Sequence, residues 1–403
     1  MIKLGPLPDG PLGVAVSGGG DSIALLMLLH NAGRDVRVAT VDHRLRPEAA
    51  AEARGVAGLC QKLGVPHKTL AWDAPATTGN LQKAARDARR RLLADWARAE
   101  TLRDIALGHT LDDQAETVLM RLARGSGVDG LAGMAARRCE NGLCWHRPLL
   151  AVQRAELRAY LDQIGVAWID DPSNEDLRFD RIKARRTLAA LAPLGLEAKR
   201  LAETAAHMRR ARIALEIATQ DLARSCVSIT VAGELSLGLG PFENAPREIQ
   251  LRLLSAGLGW VASARYRPRF SSLEGLLASC FSEQNFTKTL HGCVISKKND
   301  TILINREPAA TPAPALAQSV WDGRWEIDTK AAKNLEIRAL GEDGLNLCPN
   351  WRESGHSRRA LLASPSFWQK GVLLAAPLAQ FGHIGSVEQK SGEKGFYKTL
   401  ITH

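Results

Sequence analysis

Two rhythms of apolar and polar positions alternate along the first 110 residues. Leu12 to Val16 is a short apolar run with the length of a buried strand, followed by the glycine-rich Ser17 to Gly20. The next segment, Ile23 to Gly33, has helical spacing and predicts a helix closed by Gly33. Val36 to Val41 predicts a second strand, Ala49 to Leu63 a helix stopped by Gly64, and Pro66 to Trp72 a third strand. Asn80 is placed to cap a long helix reaching about Thr101. Asp104 to Leu107 predicts a fourth strand, and Thr110 opens a helix that ends at Gly125. Strands alternating with helices imply parallel βαβ units, so the fold class expected is α/β with a doubly wound parallel sheet. Ligands in such sheets sit beyond the carboxyl ends of the strands, where the loops discussed below all fall.

Beyond this region the pattern changes. Val152 to about Ala192 is helical with a loop at Asp170 to Asn174, and Leu196 to about Ala223 is a long, arginine-rich helical stretch. Residues 245–281 predict two more helices, and TLHGCVISKK with TILINRE predicts a β-hairpin. EPAATPAPALA has the Ala/Pro composition of a linker, and a small Trp-containing module follows from about Val320. The expected organisation is a catalytic domain over 1–195, a helical linker and middle domain over 196–306, a linker over 307–319, and a small α+β domain over 320–403.

Composition narrows the class. Lys and Arg exceed Asp and Glu by 53 to 43, a net charge of +10, which suits a polyanionic partner without proving one. No apolar run approaches the roughly 20 residues of a membrane span, and the Gly/Pro turn in MIKLGPLPDG is unlike a signal peptide. The expectation is a cytoplasmic protein with no membrane and no obligate protein partner. Seven cysteines are dispersed without a C-x-x-C pair and are expected to be mostly small buried side chains. Cys139 and Cys144 are close together but lack the His partners of a zinc site.

Two segments carry candidate chemistry. In Ser17-Gly18-Gly19-Gly20-Asp21-Ser22, a strand feeds three glycines and then a helix, so backbone N–H groups and the positive helix end face an anion unobstructed. The Walker A lysine is missing. A glycine turn with Asp21 or Ser22 as helix cap is the plainer alternative. In His109-Thr110-Leu111-Asp112-Asp113-Gln114-Ala115-Glu116, the three carboxylates at Asp112, Asp113 and Glu116 share one helical face. They suit Mg²⁺ or an ammonium group, although Thr110 and Asp113 also fit a capping box.

Taken together, the segments resemble the tRNA(Ile)-lysidine synthase family of PP-loop ATP pyrophosphatases. The resemblance runs through SGGGDS, VDHRLRPEAAAEA, GNLQKAARDARRRLL, LGHTLDDQAETVLMRLARGSGVDGLAGM, HRPLL, DDPSN and FDRIKARR, in that order across the first 190 residues or so. It implies a ligase that uses ATP and Mg²⁺ to join free L-lysine to the wobble cytidine of a CAU-anticodon isoleucine tRNA. It also implies a PP-loop, adenine-nucleotide α-hydrolase-like first domain. ATP would contact Ser17, Gly18, Gly19, Gly20, Asp21, Ser22, Val41, Asp42 and His43. Asp113 and Glu116, with His109 and Asp112 beside them, match the lysine-binding and catalytic positions, and Asp21, Asp113 and Glu116 are the candidate Mg²⁺ ligands. Arg86, Arg90, Arg121, Arg124, Arg181 and Arg185 are candidate tRNA or phosphate contacts, and the domains past residue 195 would read the tRNA body. Where the family usually carries Arg-Asn, this chain has Arg181-Ile182, which removes that Asn side chain. A PP-loop tRNA thiolase is a weaker alternative for want of paired cysteines; a non-catalytic nucleotide-dependent RNA-binding protein is weakened by the intact loop serines.

Overall fold

The computed structural model describes residues 2–44, 48–73, 81–169, 180–264, 266–328, 334–384, 386–390 and 392–401, with backbone only at 81–83. The chain falls into two units, Met1–Arg212 and Ile213–Thr402.

The first unit runs β1 (Leu12–Ala15), α1 (Gly20–Asn31), β2 (Val36–Asp42), α2 (Ala49–Leu63), β3 (His67–Ala71), α3 (Leu81–Ala99), β4 (Asp104–Leu107) and α4 (Leu111–Leu122). Each expected strand and helix is present to within a few residues. Gly64 ends α2 in the left-handed region at φ 68°, where a side chain would be strained. Asn80, expected as a cap, lies outside the described residues, as does the loop at Asp170 to Asn174. There follow α5 (Val128–Leu131), β5 (Arg137–Glu140), β6 (Leu143–His146), α6 (Arg154–Gln163), α7 (Asp180–Leu191) and α8 (Ala198–Cys226), whose last residues belong to the second unit.

The six-stranded sheet has the order β3-β2-β1-β4-β6-β5 and is parallel except for β5 against β6. Alternation along β1 explains why it is covered on both faces. Leu12, Val14 and Val16 pack with α1, α2 and α6 residues such as Leu25, Val56 and Leu157. Ala15 joins Ile105, Trp145 and the α3 residues Leu93 and Trp96 on the other face. Gly13 points the same way, and a Cβ there would stand 3.0 Å from the Trp96 ring. Because β2 and β4 flank β1 on opposite sides, the connections diverge and open a crevice at the carboxyl ends of β1 and β4. This is the doubly wound parallel arrangement expected.

Cys139 and Cys144, the one close pair of cysteines, face each other across the β5–β6 hairpin and are joined by a disulfide. Asn141 and Gly142, both at positive φ (50° and 77°), make the turn that opposes them. That Asn-Gly pair is a hairpin signal present in the sequence.

The second unit holds a five-stranded sheet, β7-β8-β11-β10-β9, formed by β7 (Val227–Ile229), β8 (Leu235–Gly238), β9 (Phe286–Leu290), β10 (Cys293–Lys298) and β11 (Thr301–Arg306). Helices α9 (Leu239–Glu243), α10 (Arg247–Val261) and α11 (Phe270–Ser282) supply its core with Phe242, Leu254 and Leu277. The hairpin expected from the sequence is therefore the β10–β11 part of a larger sheet. The chain continues through β12 (Ala315–Leu316), β13 (Val320–Trp321), β14 (Trp325–Ile327), β15 (Glu336–Ala339), α12 (Gly341–Asn346), α13 (Arg358–Leu362), β16 (Pro365–Gln369), β17 (Val372–Ala375) and β18 (Val387–Gln389). A second core there centres on Trp321, Trp325, Phe367 and Trp368. The last helix, α14 (Gly392–Thr399), returns to the five-stranded sheet's core through Phe396. No helix of the described residues is long and apolar enough to cross a membrane.

Gly108 follows β4, and a Cβ there would lie 3.0 Å from the Asp21 carbonyl oxygen and 3.0 Å from the Ser22 Cα. Backbone at that distance cannot yield cheaply. Gly108→Ala is expected to lower unfolding free energy by about 1–3 kcal/mol in urea titration. Gly58→Ala, inside α2 with open space at its Cβ, is expected to raise it by about 0.5–1 kcal/mol. Equal and small effects of both changes would show that the two loops are not in contact.

Candidate active site

The phosphate loop is built by its own hydrogen bonds. Gly18 takes φ 91°, a conformation suited to glycine, and its carbonyl accepts the Ile169 N–H at 3.0 Å. Ser22 is buried; its Oγ accepts the Ser17 N–H at 3.1 Å and donates to the Gly19 carbonyl at 2.9 Å. Ser22 thus holds the loop closed, whereas Ser17 is exposed and faces the crevice. Gly19 is the N-cap residue of α1 and makes no side-chain cap, so the first α1 N–H groups keep their positive end toward that crevice.

Helix α4 begins with the capping box foreseen as an alternative. The Thr110 N–H donates to Asp113 Oδ2 at 2.8 Å, and the Asp113 N–H donates to Thr110 Oγ1 at 3.3 Å. The second Asp113 oxygen faces the site, so one carboxylate serves both readings. Glu116, one turn on, is 1% exposed. A buried carboxylate needs counter-charge, and three arginines supply it. Arg181 Nε donates to Glu116 Oε2 at 2.9 Å and Arg185 Nε to Glu116 Oε1 at 2.9 Å. Arg154 Nη1 lies 3.5 Å from Glu116 Oε1, its Nη2 3.1 Å from Asp113 Oδ1, and its Nε 3.1 Å from Asp21 Oδ2.

The protonation equilibria follow this wiring. Burial pushes Asp113 up, but Arg181, the Thr110 N–H and Arg154 outweigh it and hold it below its usual value. Burial raises Asp21, and Arg154 only partly offsets this. Burial would depress Arg154, yet Asp113, Asp21 and Glu116 together hold it above the ordinary guanidinium value. His109 is pushed down to about 3 by burial, Asp113 opposing and Arg147, Arg181 and Arg89 assisting. His43 is lowered by burial and by Arg89; its ring meets Trp72 edge-on at 5.8 Å.

Residues 3–192 match a family model described as a PP-loop domain. A tRNA(Ile)-lysidine synthase of Ruegeria pomeroyi is 47% identical over 401 residues, 98% of this chain and 95% of the relative. Those of Wolbachia pipientis wMel (38% over 324 residues, 77% of this chain and 75% of the relative) and Methylobacterium nodulans (41% over 318 residues, 76% and 93%) are also similar. The chain belongs to the tRNA(Ile)-lysidine synthase family. It is an enzyme whose PP-loop domain uses ATP.

A cavity of about 730 Å³ brings most of the candidate residues of this family member together. Ser17, Gly19, Gly20, Asp21 and Ser22 line it with Val41, His43, His109, Asp113, Arg86, Arg90, Arg181 and Arg185. Gly18 is buried behind the loop, and Asp42 Oδ1 accepts the Arg44 N–H at 2.9 Å. Asp112 holds the Arg154 backbone N–H at 2.7 Å. Arg121 donates to the Gly130 and Gly133 carbonyls at 2.8 and 3.1 Å, tying α5 to α4, and Arg124 pairs with Asp180 at 3.2 Å on the surface. Arg90 Nη2 is 2.5 Å from Glu140, with its guanidinium 5.3 Å from the Trp145 ring centroid. Ile182, standing where the family usually has Asn, is buried.

Sequence reasoning missed Arg147 and Arg154, which line the same cavity. Arg154 opens α6 beside a Gln153–Glu156 capping box, a signal for a helix start but not for its direction. Asp21, Asp113 and Glu116, expected as joint Mg²⁺ ligands, all face the Arg154 guanidinium in this structure. No group of three or more His, Cys, Asp or Glu among the described residues is arranged as a metal site. This trio does not fit a protein-held Mg²⁺ in this arrangement, so no chemical step is routed through one.

The low His109 value has a pH consequence. A histidine depressed on folding adds stability above its unfolded value near 6.5, and that stability is lost as pH falls toward about 3. The stability difference between wild type and His109→Gln is expected to shift against wild type by about 1 kcal/mol between pH 6.5 and 5.5, read from urea midpoints. A pH-independent difference would mean that His109 titrates normally.

Proposed function

We propose that this enzyme joins free L-lysine to C2 of the wobble cytidine in the CAU anticodon of isoleucine tRNA, through an adenylated cytidine, converting ATP to AMP and diphosphate. Family membership supports the reaction class. The observation that carries the chemistry is that the phosphate loop and Asp113 line one cavity with a wall of arginines.

In the first step the C2 oxygen of cytidine attacks the α-phosphorus of ATP, and the bond to the β-phosphate oxygen breaks. Diphosphate leaves against the Gly19 and Gly20 backbone and the start of α1, where N–H donors meet growing negative charge. In the second step the lysine ε-amine attacks C2, and AMP departs with the former carbonyl oxygen. An amine with a pKa near 10.4 is mostly protonated at pH 7, and freeing it costs about 4–5 kcal/mol. Asp113 and Glu116 orient the ammonium and take part in removing its proton. His109, kept neutral by burial, adds no positive charge beside that amine. Arg86, Arg90 and Arg147 face the same cavity and suit the anticodon phosphates. The domains beyond residue 195 are assigned to the tRNA body.

Incubation of the protein with ATP, L-lysine and isoleucine tRNA is expected to yield one nucleoside with the mass of cytidine plus lysine less water, detected after nuclease digestion. An unmodified nucleoside pool under ATP turnover would refute the assignment. Asp113→Asn combined with Glu116→Gln is expected to raise the lysine KM by more than about tenfold, one charge-assisted contact being worth about 1.5–3 kcal/mol, with a smaller change in the ATP KM. An unchanged lysine KM would remove these residues from amine binding.

A further inference from the structure

The acid pair is fully occupied. Asp113 Oδ2 accepts the Thr110 N–H at 2.8 Å and the Thr110 hydroxyl at 3.2 Å. Asp113 Oδ1 faces Arg154 at 3.1 Å and Arg181 at 3.4 Å. Glu116 Oε1 takes Arg185 and Arg154, and Oε2 takes Arg181. A substrate ammonium held by this pair must therefore displace a guanidinium. Removing one partner from a buried charge cluster is costly unless another charge replaces it, so a displaced arginine needs a new anion and the carboxylates need a new cation.

The three arginines differ in reach. Arg181 and Arg185 contact carboxylates of α4. Arg154 bonds the same carboxylates and also Asp21, in the first turn of α1 beside the phosphate loop. Its backbone is fixed by the Asp112 carboxylate at 2.7 Å, so its side chain can turn while its Cα stays in place. A triphosphate in the loop brings several negative charges next to a planar donor that binds phosphate bidentately. We propose that Arg154 is a positioning residue that exchanges counter-ions, leaving Asp113 and Glu116 for the phosphates of bound ATP and so opening the acid pair to the lysine ammonium. Nucleotide and lysine then bind cooperatively, each favouring the other by the same factor. The proposal rests on the lysine-ligase reading above and adds to it a binding order and the residue that enforces it.

The test is equilibrium dialysis of radiolabelled L-lysine against the full chain, with and without the non-cleavable analogue α,β-methylene-ATP and Mg²⁺. In wild type the analogue is expected to tighten lysine binding within about 5- to 150-fold, the usual span of such coupling. Saturating lysine should tighten the analogue equally. Arg154→Met and Arg154→Gln are each expected to bring the two lysine affinities to within about twofold of one another. A residue that only supports the fold would weaken both affinities and leave their ratio unchanged. Wild-type lysine binding that is indifferent to the analogue, or undetectable with it, overturns the proposal without needing either variant. Coupling that persists in a folded Arg154 variant, checked by its melting curve, overturns it too. Lysine transfer to isoleucine tRNA is measured on the same wild-type protein. Transfer without coupling rejects the counter-ion exchange alone, and absence of transfer rejects the ligase reading beneath it.

Discussion

Glu116 is a carboxylate with almost no contact with solvent, and much of the first unit's chemistry is arranged around that fact. A lone buried anion would take up a proton or unfold its surroundings. Three guanidinium groups from α6 and α7 prevent this. Their presence fixes where those helices end or begin relative to α4, and it ties α4 to the phosphate loop through Arg154 and Asp21. Parallel strand order supplies the other half. Because β2 and β4 lie on either side of β1, the loops after β1 and β4 are neighbours, and the gap left by the missing side chain of Gly108 lets their backbones touch.

Local elements of this domain were legible because each is encoded by nearby residues. Asp104 to Leu107 is a continuous apolar-centred run, Gly64 marks a left-handed stop, and Thr110 with Asp113 is a reciprocal cap. The loop Ser17 to Ser22 was legible for the same reason. Its division of labour was not: only the fold shows that Ser22 closes the loop while Ser17 faces outward. Arg154 was invisible because its partners are 133, 41 and 38 positions away in sequence, at Asp21, Asp113 and Glu116. No periodicity reports a meeting of that kind. The Cys139–Cys144 pairing is different in kind, since Asn141-Gly142 carried the signal and reading the cysteines by spacing alone passed over it.

The second unit was harder to read for a physical reason. Its strands β12 to β18 are two to five residues long, too short for a period of two to stand out. They are interleaved between two sheets, β12-β15-β16-β17 and β13-β14-β18. Tryptophans at 321, 325 and 368 do the packing there, and a large side chain marks a core without saying which strand owns it.

The way arginine is spent in this molecule bears on ionic strength. Arg121 is committed to carbonyl oxygens, Arg209 likewise to Met134, and Arg154, Arg181 and Arg185 to carboxylates. An arginine already paired within the protein must give up that partner before it can take a phosphate, which offsets part of the gain from counterion release. The logarithmic fall of RNA affinity with added salt should therefore be shallower than a tally of the chain's basic residues would give.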